Sequence, residues 1–131
     1  MPDAPGRAAL NPALAAIAAE MDGPDKAVIV TDPSGAILSW SSGAERMYGW
    51  RSDEVLGRHV LGVTPTTMSM GEGARIMSLL QAGVPWSGSF VVRTRQGEEI
   101  VAEVLDVPVR SEDGKLIGIV GVSRPVARPT P

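Results

Sequence analysis

Hydrophobic positions follow two rhythms along the chain. From residue 10 to 21, Leu10, Leu14, Ile17 and Met21 recur at helical spacing with alanines filling the turns between them, which predicts a short amphipathic helix. Asn11 ahead of Pro12 supplies an N-cap and a first-turn proline. Asp22-Gly23-Pro24 then supplies a glycine C-cap and a residue that cannot continue the helix. The β-branched run 27–31 reads as a buried strand. Asp32-Pro33-Ser34-Gly35 follows with Asp, Pro and Gly at the positions a type I turn favours, and 36–40 resumes the strand pattern. Residues 27–40 therefore predict a hairpin.

Residues 41–83 change rhythm. Ser42-Gly43-Ala44-Glu45 fits a capping box that opens a two-turn helix through Tyr48, with Gly49 placed to close it. Ser52 can cap a second short turn, with Asp53 and Glu54 near its positive dipole end. The stretch 57–71 has no clear period. A longer helix is predicted over 72–82, with Gly73, Ile76, Met77 and Leu80 on one face and Gly83 as the stop. In 86–94 the even positions read Trp, Gly, Phe, Val, Thr and the odd ones Ser, Ser, Val, Arg, an alternation that predicts a strand with one apolar face. Turns at 95–97 and 111–114 bracket a long strand at 99–110, and 116–123 is the closing strand. Residues 124–131, with three prolines in eight residues, predict an extended or disordered tail, and the Pro-, Ala- and Gly-rich first ten a loose arm.

The predicted order is two strands, a run of short helices, then a three-stranded meander, which makes an α+β layer architecture with helices on one face of an antiparallel sheet. Both faces of the 99–110 strand are partly apolar, since Val101, Leu105, Val107 and Val109 alternate with Ile100, Ala102 and Val104. One face takes the internal helices. The other requires the N-terminal helix or a partner subunit.

Composition narrows the chemistry. The 131 residues suit one domain. A net charge of −3, with ten arginines and two lysines scattered rather than clustered, argues against electrostatic nucleic-acid binding. The absence of cysteine excludes disulfides, thiolate metal sites and a cysteine nucleophile, and the single His59 excludes a histidine pair for a metal. No apolar run approaches membrane-spanning length, and the first ten residues do not form a secretory signal, so the expectation is a cytoplasmic protein without a membrane segment. An acid–base enzyme would have to use Asp32, Asp106, Glu103 or Tyr48. Asp32 already has a structural task in its turn, and Glu103 faces solvent on its strand. No nucleophile–base pair or phosphate-cradling loop is present, so no catalytic residue and no metal ligand is assigned.

In this setting the chain resembles the PAS sensory-domain family over roughly residues 26–124. The resemblance is carried by Ala27-Val28-Ile29-Val30-Thr31-Asp32-Pro33-Ser34-Gly35 with Trp40, by Gly43-Ala44-Glu45-Arg46-Met47-Tyr48-Gly49-Trp50, and by Ser52-Asp53-Glu54-Val55-Leu56-Gly57-Arg58. Arg93-Thr94-Arg95-Gln96-Gly97-Glu98, Glu112-Asp113-Gly114 and Gly118-Ile119-Val120-Gly121-Val122 complete it. It implies a five-stranded antiparallel PAS-like sheet with short helices on one face, preceded by an N-terminal amphipathic helix. On that division residues 1–25 are an arm and helix, 26–124 the PAS-like domain and 125–131 the tail. The resemblance further implies a cavity between sheet and long helix, signals passed through the sheet to flanking helices, and dimerisation through the N-terminal helix, here by Leu10, Leu14, Ile17 and Met21.

The departures from the family pattern matter as much. Gly57-Arg58-His59-Val60-Leu61 lacks the cysteine of the flavin-adduct light sensors, and a cysteine-linked coumaroyl group is excluded likewise. The long helix carries no histidine for haem, and His59 lies in the irregular stretch, so haem is disfavoured, with Met77 the remaining soft donor. Ser41 and Ser42 stand where the family favours asparagine. Arg124-Pro125-Val126-Ala127 replaces the family's Arg-Asp-Ile-Thr run, which disfavours coupling through a continuous C-terminal helix. The candidate cavity lining is Leu38, Trp40, Met47, Ile76, Met77, Leu80, Trp86 and Phe90. The methionines adapt to irregular ligand shapes, and an apolar site with few charges suits a fatty acid or a flat aromatic molecule. The expected function is a sensory or regulatory module that forms a homodimer, binds a small apolar ligand and acts on an output protein or domain. The alternatives are a ligand-free dimerisation scaffold and a haem-binding gas sensor.

Overall fold

A computed structural model describes residues 10–127. In chain order the elements are α1 (Pro12–Met21), β1 (Ala27–Thr31), β2 (Ile37–Trp40), α2 (Ser42–Tyr48), α3 (Ser52–Val55), a 3-10 turn (Val60–Gly62), α4 (Met70–Gln81), β3 (Trp86–Arg93), β4 (Glu99–Arg110) and β5 (Leu116–Ala127). The five strands form one antiparallel sheet in the order β2-β1-β5-β4-β3. The front hairpin therefore pairs with the closing strand, as the predicted α+β architecture requires.

Local chemistry explains the hairpin. The Asp32 carboxylate accepts from the amides of Ser34 and Ala36 and from the Ser34 hydroxyl, and the Gly35 amide donates to the Asp32 carbonyl. Partial burial pushes this carboxyl up, but hydrogen bonds from Ser34 and the amides of Ala36, Ser34 and Gly35 more than offset it, leaving Asp32 below its ordinary value.

Several boundaries differ from the sequence expectation. After α1 the chain leaves in an extended conformation at Asp22, so Gly23 is not a left-handed cap. Helix α2 is capped by Ser41 rather than Ser42. The Ser41 hydroxyl accepts from the Ala44 amide and from Val28 on β1, and the Glu45 carboxylate reaches the Ser52 amide instead of closing a capping box. The α3 cap is Arg51, whose amide donates to the Glu54 carboxylate, and Ser52 is already helical. Helix α4 starts at Met70, ahead of the predicted 72, because Thr66 and Ser69 exchange amide–hydroxyl hydrogen bonds and the Ser69 hydroxyl donates to the Val91 carbonyl at 2.8 Å. That bond ties the start of the helix to β3. Finally, β5 continues to Ala127, beyond the predicted end at Ser123. Pro125 sits opposite Ala102 next to a register shift in β4, a place where a missing amide is tolerated. The expectations for residues 1–9 and 128–131 lie outside the described residues.

The sheet separates two cores. On one face Ala27, Ile29, Ile119, Ala102, Phe90 and Val92 meet Ile76, Met77 and Leu80 of α4 together with Tyr48 of α2. On the other, Val28, Val30, Val109 and Val120 are covered by α1 through Leu14, which is 1% exposed. Gly118 makes this docking possible, since a Cβ there would stand 2.9 Å from Leu14 Cδ1 and 2.7 Å from the Thr31 carbonyl oxygen. Thus α1 folds back on its own sheet. Leu10, Ile17 and Met21 are partly buried beside Leu14 in the same cluster.

Candidate functional site

Between α4 and the sheet lies a cavity of about 100 Å³. Two devices keep it open. Gly73 lets α4 pack close to the sheet side, and a Cβ there would lie 3.1 Å from Leu61 and 3.4 Å from the Phe90 ring, crowding the lining. At the far end Gly121 leaves room for the Asp106 carboxylate, whose Oδ1 would stand 2.5 Å from a Cβ at that position. Leu61 and Thr64 of the irregular stretch close one side, held by the amide of Arg93 donating to the Thr64 carbonyl at 2.9 Å.

Of the eight lining residues expected from sequence, Ile76, Met77, Leu80, Trp86 and Phe90 border the cavity. The Trp86 and Phe90 rings meet edge to face with centroids 6.5 Å apart. Trp40 is placed behind the cavity, packed on Tyr48 at 5.3 Å, and Met47 lies at the edge of the core with its sulfur 4.0 Å from the Ser123 hydroxyl. Leu38 points away and is 40% exposed. The pairing explains why: Val30 opposes Ser39 and Thr31 opposes Ile37, so Leu38 is the extra residue of a bulge and β2 loses its alternation there.

The expected lining is apolar, whereas the cavity also has a polar part, which includes Asp106 and Tyr48 of the acid–base candidates but neither Asp32 nor Glu103. Thr31, Tyr48, Asp106 and Ser123 all border the cavity. Strand parity carried the signal, because Thr31 is in phase with the inward Ala27 and Ile29, and Asp106 with Ile100 and Ala102. The Tyr48 hydroxyl and Ser123 hydroxyl form a hydrogen bond at 3.2 Å. Thr31 is 4% exposed and its hydroxyl has no hydrogen-bond partner among the described residues. Asp106 lies between Gly121 on β5 and Trp86 on β3, with no hydrogen-bond or ion-pair partner among the described residues.

Burial pushes the Asp106 carboxyl up to about 7. Burial likewise pushes the Tyr48 phenol up to about 12, with the nearby Asp106 charge adding to the rise and the Ser123 hydrogen bond opposing it. A phenol held there keeps its proton near neutrality, so the arrangement is suited to hold and orient a molecule. His59 is outside the lining: it is exposed, and its Nδ1 accepts from the Leu61 amide at 3.1 Å. A histidine-ligated haem therefore does not fit this cavity. Among the described residues no group of three or more His, Asp or Glu could hold a metal ion, and no helix is long and apolar enough to cross a membrane.

Comparison with known proteins agrees with this geometry. Residues 17–126 match the family model for the PAS fold. A curated relative, two-component system protein A of Emericella nidulans, is 30% identical over 102 residues, covering 76% of this chain; the chain spans only 15% of that protein's length. Among solved structures, a PAS domain from Colwellia psychrerythraea superposes with a TM-score of 0.74 at 23% identity, covering 88% of this chain and 98% of that one. The PAS domain of the Cronobacter turicensis RpfR quorum-sensing receptor, in complex with C12:0, superposes with a TM-score of 0.67 at 15% identity over 81% of this chain and 98% of that one. With the sheet order, the helical face and the family match in agreement, the chain belongs to the PAS family.

Proposed function

We propose that this PAS domain is a cytoplasmic sensory module that binds a small, largely apolar molecule between α4 and the sheet and reports occupancy to α1. The carrying observation is an apolar cavity into which the buried Thr31 hydroxyl, without a hydrogen-bond partner among the described residues, and the Asp106 carboxylate both face. That the similar PAS domain of the Cronobacter turicensis receptor is in complex with C12:0 supports a small-molecule ligand here. Strand β5 offers the relay. Its Ile119 and Ser123 border the cavity, whereas Gly118 and Val120 lie under α1. A ligand moves this equilibrium only by binding one arrangement more tightly.

The likeness to a two-component system protein supports an output of that signalling class. Two copies pair, in this proposal, over α1 and the neighbouring strip of β4, where Leu105 is 41% exposed. Native mass spectrometry of protein purified from its own cells, followed by solvent extraction, tests the ligand. One small molecule per chain is expected. Its absence, together with failure of small aromatic probes to bind, would leave a ligand-free scaffold as the function.

A further inference from the structure

Buried polar groups are almost always hydrogen-bonded, and a buried carboxylate without a partner carries a large desolvation cost. The Thr31 hydroxyl, within a residue 4% exposed, is such a group, with no hydrogen-bond partner among the described residues, and the half-buried Asp106 carboxylate borders the same cavity, likewise without a partner among them. They flank β5, Thr31 opposite Ile119 and Asp106 opposite Gly121. The other polar pair, Tyr48 and Ser123, is already satisfied internally. No Lys, Arg or His borders the cavity, so any donor or positive charge that meets Asp106 has to arrive with the ligand. Gly73 lets α4 pack close to Phe90, and the Trp86 and Phe90 rings supply aromatic walls on which a flat ring can lie.

We propose that the cavity selects a flat aromatic molecule bearing paired N–H donors, an amidine or amino-substituted heterocycle, which Asp106 receives through both carboxylate oxygens with the Thr31 hydroxyl as second acceptor. This deepens the ligand-binding function proposed above and rests on it. Paired N–H donors match a carboxylate in geometry and form charge-assisted bonds about twice as strong as neutral ones. A ligand ending in a carboxylate would instead confront Asp106 with like charge. Protonation follows from the same contacts. Of the groups facing Asp106, Tyr48 on α2 is the only other titratable one, and α4, the 3-10 turn, β1, β3 and β5 contribute none to the lining. With the carboxyl raised to about 7 by burial, a permanently cationic ligand must displace a proton below that pH, so its affinity rises about tenfold from pH 6 to pH 8.

Calorimetric titration of the full chain with benzamidine, toluene and benzoate tests this. At pH 8 benzamidine is expected to bind most tightly and benzoate most weakly. Asp106→Asn is expected to weaken benzamidine by roughly tenfold or more while leaving toluene within about twofold, and Thr31→Val to weaken benzamidine by a few-fold. Benzamidine binding no tighter than toluene, or insensitive to Asp106→Asn, overturns the proposed selectivity and leaves the cavity a ligand site. If none of the three probes binds, the ligand-binding function itself falls. Should Asp106→Asn fail to fold, the wild-type ranking decides, and benzamidine binding no tighter than toluene or benzoate at pH 8 overturns the selectivity.

Discussion

At the scale of single residues, Asp106 is the carboxyl expected to make stability fall as pH rises. Its folded pKa, about 7, lies above the ordinary value of 3.8. The unfolded chain therefore releases this proton first, and the slope of stability with pH is negative between those values. Stability from this group is full below about pH 4, declines as pH rises and levels off above about 7. Asp106→Asn removes the decline, so it is expected to stabilise the ligand-free protein by a few kcal/mol at pH 8 and by little at pH 4.5. Urea unfolding at the two pH values measures this, and a stabilisation equal at both would contradict the burial of an unpaired carboxyl. Gly121 answers to the same side chain. Gly121→Ala, which sets a Cβ against Asp106 Oδ1, is expected to destabilise by about 1–3 kcal/mol. In an Asp106→Ala background that cost should disappear, and a double-mutant cycle measures the coupling.

Among the elements, α1 belongs to the fold as well as to any assembly. Leu14 is buried on Val28, Val30 and Val120. Leu14→Ala is expected to cost about 2–4 kcal/mol, and Ile17→Ala, from a half-buried position, less; thermal or chemical unfolding ranks them. Equal small effects would mean that the helix leaves the sheet in solution. The strands show how far alternation can be read. Period two placed Trp86, Phe90 and Val92 on the inward face of β3 correctly, because that strand pairs without interruption. It failed at Leu38, where a bulge adds one residue and reverses the parity. Thr31 and Asp106 are in phase with the core and border the cavity, but their polarity hides them from a reading of apolar faces alone. Helix ends were the least legible. Ser41 outcompetes Ser42 because its hydroxyl also serves Val28 on β1, and α4 begins early because Ser69 is held by Val91. Both depend on tertiary partners that local spacing does not contain.

On the scale of the whole molecule, one sheet carries the cavity on one face and α1 on the other. The assembly proposed above places Leu105 in the contact, so sedimentation is expected to give a dimer for the wild type and a monomer for Leu105→Glu with the melting temperature retained. A monomeric wild type would remove the dimer from the account.

The central claim is that the cavity admits a small molecule and that α1 responds through β5. The methionines report on both ends, since Met77 borders the cavity, Met21 packs beside Leu14 under the opposite face, and Met68 is 91% exposed. Methyl NMR during a toluene titration is the direct measurement. Saturable shifts at Met77 and Met21 with Met68 unmoved are predicted. A silent Met77 would contradict the cavity, and a shift confined to Met77 would contradict the relay.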